Sequence, residues 1–140
     1  MKVVNPREIS PVEVVFELIG GKYKAAIIWY LADEGPLRFG ELARRLNHAS
    51  PKVLTSQLRD MENDSLIDRI VRRNKPLWVE YELTDLGKSL APFVSEIHKW
   101  GIDYVRNLSE SDAPHTESSR WCYALDDIGR VRYLAKDKEE

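Results

Sequence analysis

Residues 50–83 read SPKVLTSQLRDMENDSLIDRIVRRNKPLWVEYEL, and the spacing of their apolar positions changes partway along. Ser50-Pro51 is a helix start, because a serine oxygen accepts an otherwise orphaned amide and proline suits the first helical position. From there Val53, Leu54, Leu58 and Met61 share one face at 3.6 residues per turn, which predicts a helix through about Asn63. Lys52, Thr55, Ser56 and Arg59 are left on the other face. Residues 66–72 and 78–83 are β-branched, aromatic and partly alternating, with Asn74-Lys75-Pro76 between them, which predicts an antiparallel hairpin. Its turn end is basic: Arg69, Arg72, Arg73 and Lys75.

Upstream, Ser10-Pro11-Val12-Glu13 repeats the Ser-Pro start and opens a first helix to about Ile19. Gly20-Gly21 is expected to close it in the left-handed conformation. Lys24–Ala32 is apolar nearly all round, so a second, central helix is expected there, stopped by Glu34-Gly35-Pro36. Phe39, Leu42, Ala43 and Leu46 have the spacing of a third, and Asn47-His48-Ala49 makes a short turn.

Downstream, Thr84-Asp85 caps a long last helix on which Leu86, Leu90, Phe93, Ile97, Trp100 and Tyr104 step as a heptad seam. The N-terminal half of the seam is expected to pack within its own chain and the C-terminal half against a second copy. Pro92 removes one backbone bond, so a kink or break is expected near it. A polar stretch, 109–119, follows; then Trp121, Tyr123, Leu125, Val131 and Tyr133 alternate around Asp126-Asp127-Ile128-Gly129, which suggests a small hairpin. It is too small to stand alone and should dock on the body or on a second subunit. The element order predicts an α+β, mainly helical fold: a winged helix-turn-helix with a long C-terminal dimerisation helix and a small appendage. The expected boundaries are 1–107 for the main domain, 108–119 for a linker and 120–140 for the appendage.

The 140 residues, 43% hydrophobic, suffice for one compact domain. No apolar run reaches the roughly 18 residues of a membrane span, and MKVVNPREIS lacks the apolar core of a secretion signal, so a cytoplasmic protein without a membrane partner is expected. Cys122 is the single cysteine, which rules out an internal disulfide and a multi-cysteine zinc site. Between Trp121 and Tyr123 it reads as a small apolar filler rather than a sensor. No metal-ligand spacing, phosphate-binding glycine loop or nucleophile elbow occurs, so no cofactor, metal or catalytic residue is assigned and no enzyme is expected.

The net charge is only −2, but it is unevenly spread. Residues 1–36 hold 4 basic and 5 acidic side chains, 37–81 hold 9 and 6, and 82–140 hold 8 and 12. The cationic part is therefore the segment with the exposed helix face and the basic hairpin, and phosphate binding draws on such clustering. Ser50, Lys52, Thr55, Ser56 and Arg59 are side chains that can donate to base edges or phosphate in a major groove. Arg72, Arg73 and Lys75 would reach flanking backbone or minor groove, and Arg38 begins the supporting helix. Double-stranded DNA is the expected partner.

A homodimer joined through Leu90, Phe93, Ile97, Trp100 and Tyr104 would set two such helices roughly 34 Å apart, one turn of duplex. An effector is left open, with no chemistry assigned. The alternative is a winged-helix protein-interaction module, which salt-dependent retention on heparin or random duplex would separate from a DNA reader.

Six segments together resemble the HxlR-type winged helix-turn-helix transcription regulators of bacteria and archaea. They are Ser10-Pro-Val-Glu, Leu18-Ile-Gly-Gly-Lys-Tyr-Lys, Arg38-Phe-Gly-Glu-Leu, Ser50-Pro-Lys-Val-Leu-Thr-Ser-Gln-Leu-Arg, Val79-Glu-Tyr-Glu-Leu-Thr-Asp-Leu-Gly and Trp100-Gly. The resemblance spans about residues 10–104 and implies a homodimer that binds an inverted-repeat operator and alters transcription of a nearby gene, with a repressor expected. Two departures stand out. Many members carry cysteine before Pro-Val-Glu, where this chain has Ser10, so thiol sensing there is not implied. The aromatic after Gly-Gly-Lys, commonly tryptophan, is Tyr23.

Overall fold

The computed structural model describes the backbone of residues 8–110, 122–125 and 131–134, and side chains over 8–107. It divides into two compact units, Met1–Val94 and Ser95–Glu140. The first contains helices α1 (Pro11–Ile19), α2 (Lys24–Glu34), α3 (Phe39–Arg45) and α4 (Pro51–Asn63), then strands β1 (Ile67–Asn74) and β2 (Leu77–Leu83). Helix α5 (Asp85–Glu110) starts in this unit, and strands β3 (Cys122–Leu125) and β4 (Val131–Leu134) lie in the second. This is the winged helix-turn-helix order that the sequence predicts.

Both Ser-Pro starts form as expected. Ser10 Oγ accepts from Glu13 N at 3.3 Å and Ser50 Oγ from Val53 N at 3.4 Å, with a proline at each helix start. Gly20 does not close α1 in the left-handed region; its φ is −79°. What it supplies is space, since a Cβ there would lie 2.1 Å from the Phe16 carbonyl oxygen.

The core of the first unit is built on Ile27 and Ile28 of α2, Leu42 of α3, Leu54, Leu58 and Met61 of α4, and Leu66 and Ile67 entering β1. Val53, expected inside, is 38% exposed; its neighbour Leu54 takes the inward position. Helix α4 ends with Ser65 at φ 61°, where Leu66 N donates to Met61 O at 2.9 Å and Ser65 N to Glu62 O at 2.9 Å. That is a Schellman closure, and the apolar contact that accompanies such a cap is available from buried Met61 and Leu66. It turns the chain directly from α4 into the hairpin.

β1 and β2 pair antiparallel from Ile67↔Leu83 to Asn74↔Leu77, with an irregularity between Val71 and Arg73. Leu37, ahead of α3, adds a bridge that the sequence reading lacked: its N–H donates to Tyr81 O at 3.0 Å and its carbonyl accepts from Tyr81 N at 2.8 Å. The hairpin is thereby tied to the start of the supporting helix.

Arg45 of α3 grips Glu34 of α2 with two guanidinium nitrogens, one at 2.7 Å, and also donates to Glu41 O at 3.0 Å. The hydrogen bond from Arg45 holds the Glu34 carboxyl below its ordinary value of 4.5. A depressed carboxyl stabilises the fold above 4.5 and loses that contribution as pH falls through its folded value. Thermal melts should therefore drop more steeply on acidification for the natural chain than for Glu34→Gln. At neutral pH the variant should be less stable by no more than about 1 kcal/mol, since the pair is partly exposed.

Helix α5 runs unbroken through Pro92, so neither the break nor the early linker is found: residues 108–110 are helical. Pro92 and Lys88 are both exposed, which lets water take the carbonyl that proline leaves unbonded. In the first unit, α5 buries Val94 and packs Leu90 and Ala91 against the core, while Leu86 and Phe93 stay exposed. Of the seam positions in this unit, Leu90 faces inward and Leu86 and Phe93 do not; Ala91 and Val94, off the seam, complete the intramolecular face. In the second unit Ile97, Trp100 and Tyr104 are exposed, with the two rings stacked at 5.3 Å.

β3 and β4 pair antiparallel from Cys122↔Leu134 to Leu125↔Val131, which is the small hairpin expected there. The rest of the predicted linker and the side chains of Trp121, Cys122 and Tyr123 lie outside the described residues.

Candidate nucleic-acid interface

Helix α4 turns its apolar side to α2 and β1 and leaves a polar side in water. An open depression of about 550 Å³ runs along it, lined by Pro51, Lys52, Thr55, Ser56, Arg59, Asp60 and Asn63. Four of the five predicted reader residues therefore lie together on one surface. Ser50, the fifth, stands at the helix start with its oxygen engaged as the cap, leaving its hydroxyl hydrogen to donate outward. Lys52, Ser56 and Arg59 are exposed and Thr55 half-buried.

Two contacts that set the height and angle of this helix escape a reading of exposed residues. Gln57 lies in the apolar stripe between Leu54 and Leu58, and its Oε1 accepts from Tyr23 N at 2.8 Å, serving the first turn of α2. Gly21 makes room for it, since a Cβ there would lie 2.5 Å from the Gln57 amide nitrogen. Lys24 is charged yet buried, 8% exposed, and its Nζ meets Asp60 at 3.5 Å. The signal for Gln57 was present: an amide at the i+3 position of an apolar helical stripe. Lys24 carried none, because its partner is 36 residues away.

The wing residues divide. Arg72 sits at the irregularity of β1 and is held by the carboxylates of β2, Glu80 at 3.7 Å and Glu82 at 3.4 Å. Its charge is offset locally, which weakens the case for it as a phosphate ligand. Arg73 and Lys75 are exposed at the tip, and the Arg73 guanidinium lies 5.5 Å from the centre of the Trp78 ring. Arg38, at the cap of α3, lies over the same ring at 4.0 Å, and the indole N–H donates to Glu80 Oε1 at 2.8 Å. Arg38 N also donates to Glu41 Oε1 at 3.2 Å, the glutamate half of a capping box.

The HxlR-like helix-turn-helix family model matches residues 18–109. The chain belongs to that family. An HTH-type transcriptional regulator of Bacillus subtilis, YdzF, is 42% identical over 93 residues, covering 66% of this chain and 85% of that protein. The regulator BH0655 of Halalkalibacterium halodurans is 40% identical over 106 residues, 76% of this chain and 93% of its own. Among solved structures, the HTH-type regulator ytcD superposes with a TM-score of 0.62 at 39% identity, over 70% of this chain and 99% of that one. The redox regulator HypR in its reduced form gives 0.65 at 38%, over 72% and 98%.

As an HxlR-type regulator the chain is a DNA-binding transcription factor, and its relatives are regulators rather than enzymes. Among the described residues no helix is long and apolar enough to cross a membrane.

Proposed function

We propose that this HxlR-type regulator acts in the cytoplasm as a homodimeric repressor that places two copies of α4 in successive major grooves of an inverted-repeat operator. The observation that carries the reading is the surface of α4. Lys52, Thr55, Ser56 and Arg59 line one open, polar depression on the outside of a helix that Gln57 and Lys24 pin from below. Exposed side chains on a rigid support are what base-edge contacts require. The wing adds Arg73 and Lys75, with Arg38 beside them at the start of the supporting helix.

Dimerisation is supported by apolar surface left in water. Phe93 is 67% exposed and Trp100 68%, and Ile97 and Tyr104 fall on the same helical stripe by spacing. Leu90, the fifth predicted interface residue, already contributes to the core of its own chain. Helix α1 likewise leaves Val12, Val15 and Phe16 exposed, which the sequence reading had not counted. Repression follows from occupancy, since a dimer across a promoter excludes polymerase without any further surface.

The redox chemistry that HypR's name announces is not carried over through Ser10, whose oxygen here is the cap of α1.

Two substitutions test the docking. Arg59→Ala should lose about 1–3 kcal/mol on the cognate site and relax its specificity, whereas Arg73→Ala should weaken all sequences alike and flatten the salt slope by about 1. Titration of fluorescent duplexes at several salt concentrations reads both. Unchanged operator binding by both variants would overturn the assignment.

A further inference from the structure

The wing of this chain carries a tryptophan, Trp78, that contributes nothing to the buried core and contacts charged groups from three directions. Its N–H donates to Glu80 at 2.8 Å, which fixes the ring on the outer face of β2. Over that ring lie the guanidinium groups of Arg38, from the start of α3, and of Arg73, from the opposite strand of the wing and in register with Trp78. The β1 irregularity after Val71 is what brings Arg73 opposite Trp78, and it leaves the extra residue, Arg72, to the carboxylates of Glu80 and Glu82. One wing arginine is thus neutralised by the strand, and the other is set on an aromatic surface beside a cation from the helix-turn-helix.

A guanidinium drawn to an indole by cation–π attraction still has N–H groups to offer, and those match phosphate oxygens. Such a contact also removes part of the rotamer freedom that a long side chain loses when it binds.

We infer that Trp78 is a positioning residue for duplex binding, holding Arg38 and Arg73 as one cationic platform against the phosphate backbone beside the groove that α4 enters. The inference rests on the docking proposed above. The platform links the wing to the helix-turn-helix, so it governs how many phosphates the protein engages at once, and base discrimination stays with α4.

Three variants separate this role from simple packing: Trp78→Leu keeps apolar bulk without the ring, Trp78→Phe keeps a ring face without the N–H, and Arg59→Ala serves as the reader control. Each is titrated with random-sequence duplex, and with the best genomic fragment the natural chain selects, across a range of salt. Trp78→Leu should bind random duplex about tenfold more weakly at low salt, with a slope of log affinity against log salt flatter by about 1 to 2, while its preference for the selected fragment stays as in the natural chain. Trp78→Phe should recover most of the affinity and slope.

An unchanged slope in Trp78→Leu, or no recovery in Trp78→Phe beyond the leucine variant, overturns the inference. If the leucine variant fails to melt cooperatively, the phenylalanine variant alone decides it: it must keep a natural slope. Failure of the natural chain itself to bind any duplex in a salt-dependent way would instead sink the docking, and that outcome is read from a different sample.

Discussion

Ile97→Asp is expected to split the regulator into monomers and to weaken its hold on an inverted-repeat site by about a hundredfold or more. Ile97 is 52% exposed on α5, so within one chain an aspartate there keeps access to water. The helix itself gives up at most a few tenths of a kcal/mol in propensity, and the melting of the isolated chain should barely move. In the proposed dimer the same carboxylate would be buried among the apolar side chains of the α5 stripe, where desolvation opposes its charge.

Separation of the copies converts one binding event with two linked readers into two independent ones, and linkage of that kind is worth roughly 10² to 10⁴ in apparent affinity. Sedimentation and operator titration check the two halves of this outcome. A variant that stays dimeric would remove α5 from the interface; a monomer that binds operator as well as before would remove the dimer from the mechanism.

Gly87→Ala should lower stability by about 3 kcal/mol, more through backbone collision than through any change in helix propensity. A Cβ at Gly87 would lie 2.1 Å from the carbonyl oxygen of Leu66 and 3.1 Å from Leu83 Cδ2. That carbonyl cannot step aside freely, because it accepts from Thr84 N at 3.1 Å and belongs to the turn that closes α4. Thr84 Oγ1 completes the junction, donating to Ser65 O at 2.6 Å and accepting from Gly87 N at 3.0 Å. The first turn of α5 is in this way welded to the turn between α4 and the wing, so any forced separation would also tilt the reader. Chemical denaturation measures the stability loss, and a value within about 1 kcal/mol of the natural chain would show that the junction can relax.

The parts of this architecture that local chemistry dictates were legible. Ser10-Pro11 and Ser50-Pro51 start helices for reasons confined to four residues, and the polar face of α4 follows from the period of Leu54, Leu58 and Met61. What escaped depends on contacts distant in sequence. A heptad seam specifies a stripe but not which neighbour covers it: Leu86 at its start is exposed, Leu90 packs against the core, and Ala91 and Val94, off the seam, complete that packing. Gly20 and Gly87 occur in recognisable motifs, yet their reason is the approach of a carbonyl rather than a left-handed φ. Arg72 and Arg73 look equivalent in a basic run; only the irregularity in β1 gives one to Glu80 and Glu82 and the other to Trp78. The Leu37 bridge to Tyr81 had no signal at all in the four residues between two helices.

In the proposed complex two copies of the chain read consecutive major grooves through α4. Hydroxyl-radical footprinting of the natural protein on fragments selected from its source genome tests it most directly. Two protected patches related by two-fold symmetry, with centres about 34 Å apart on one side of the duplex, are the predicted result. A single asymmetric patch, or the absence of any enriched fragment, would contradict the account.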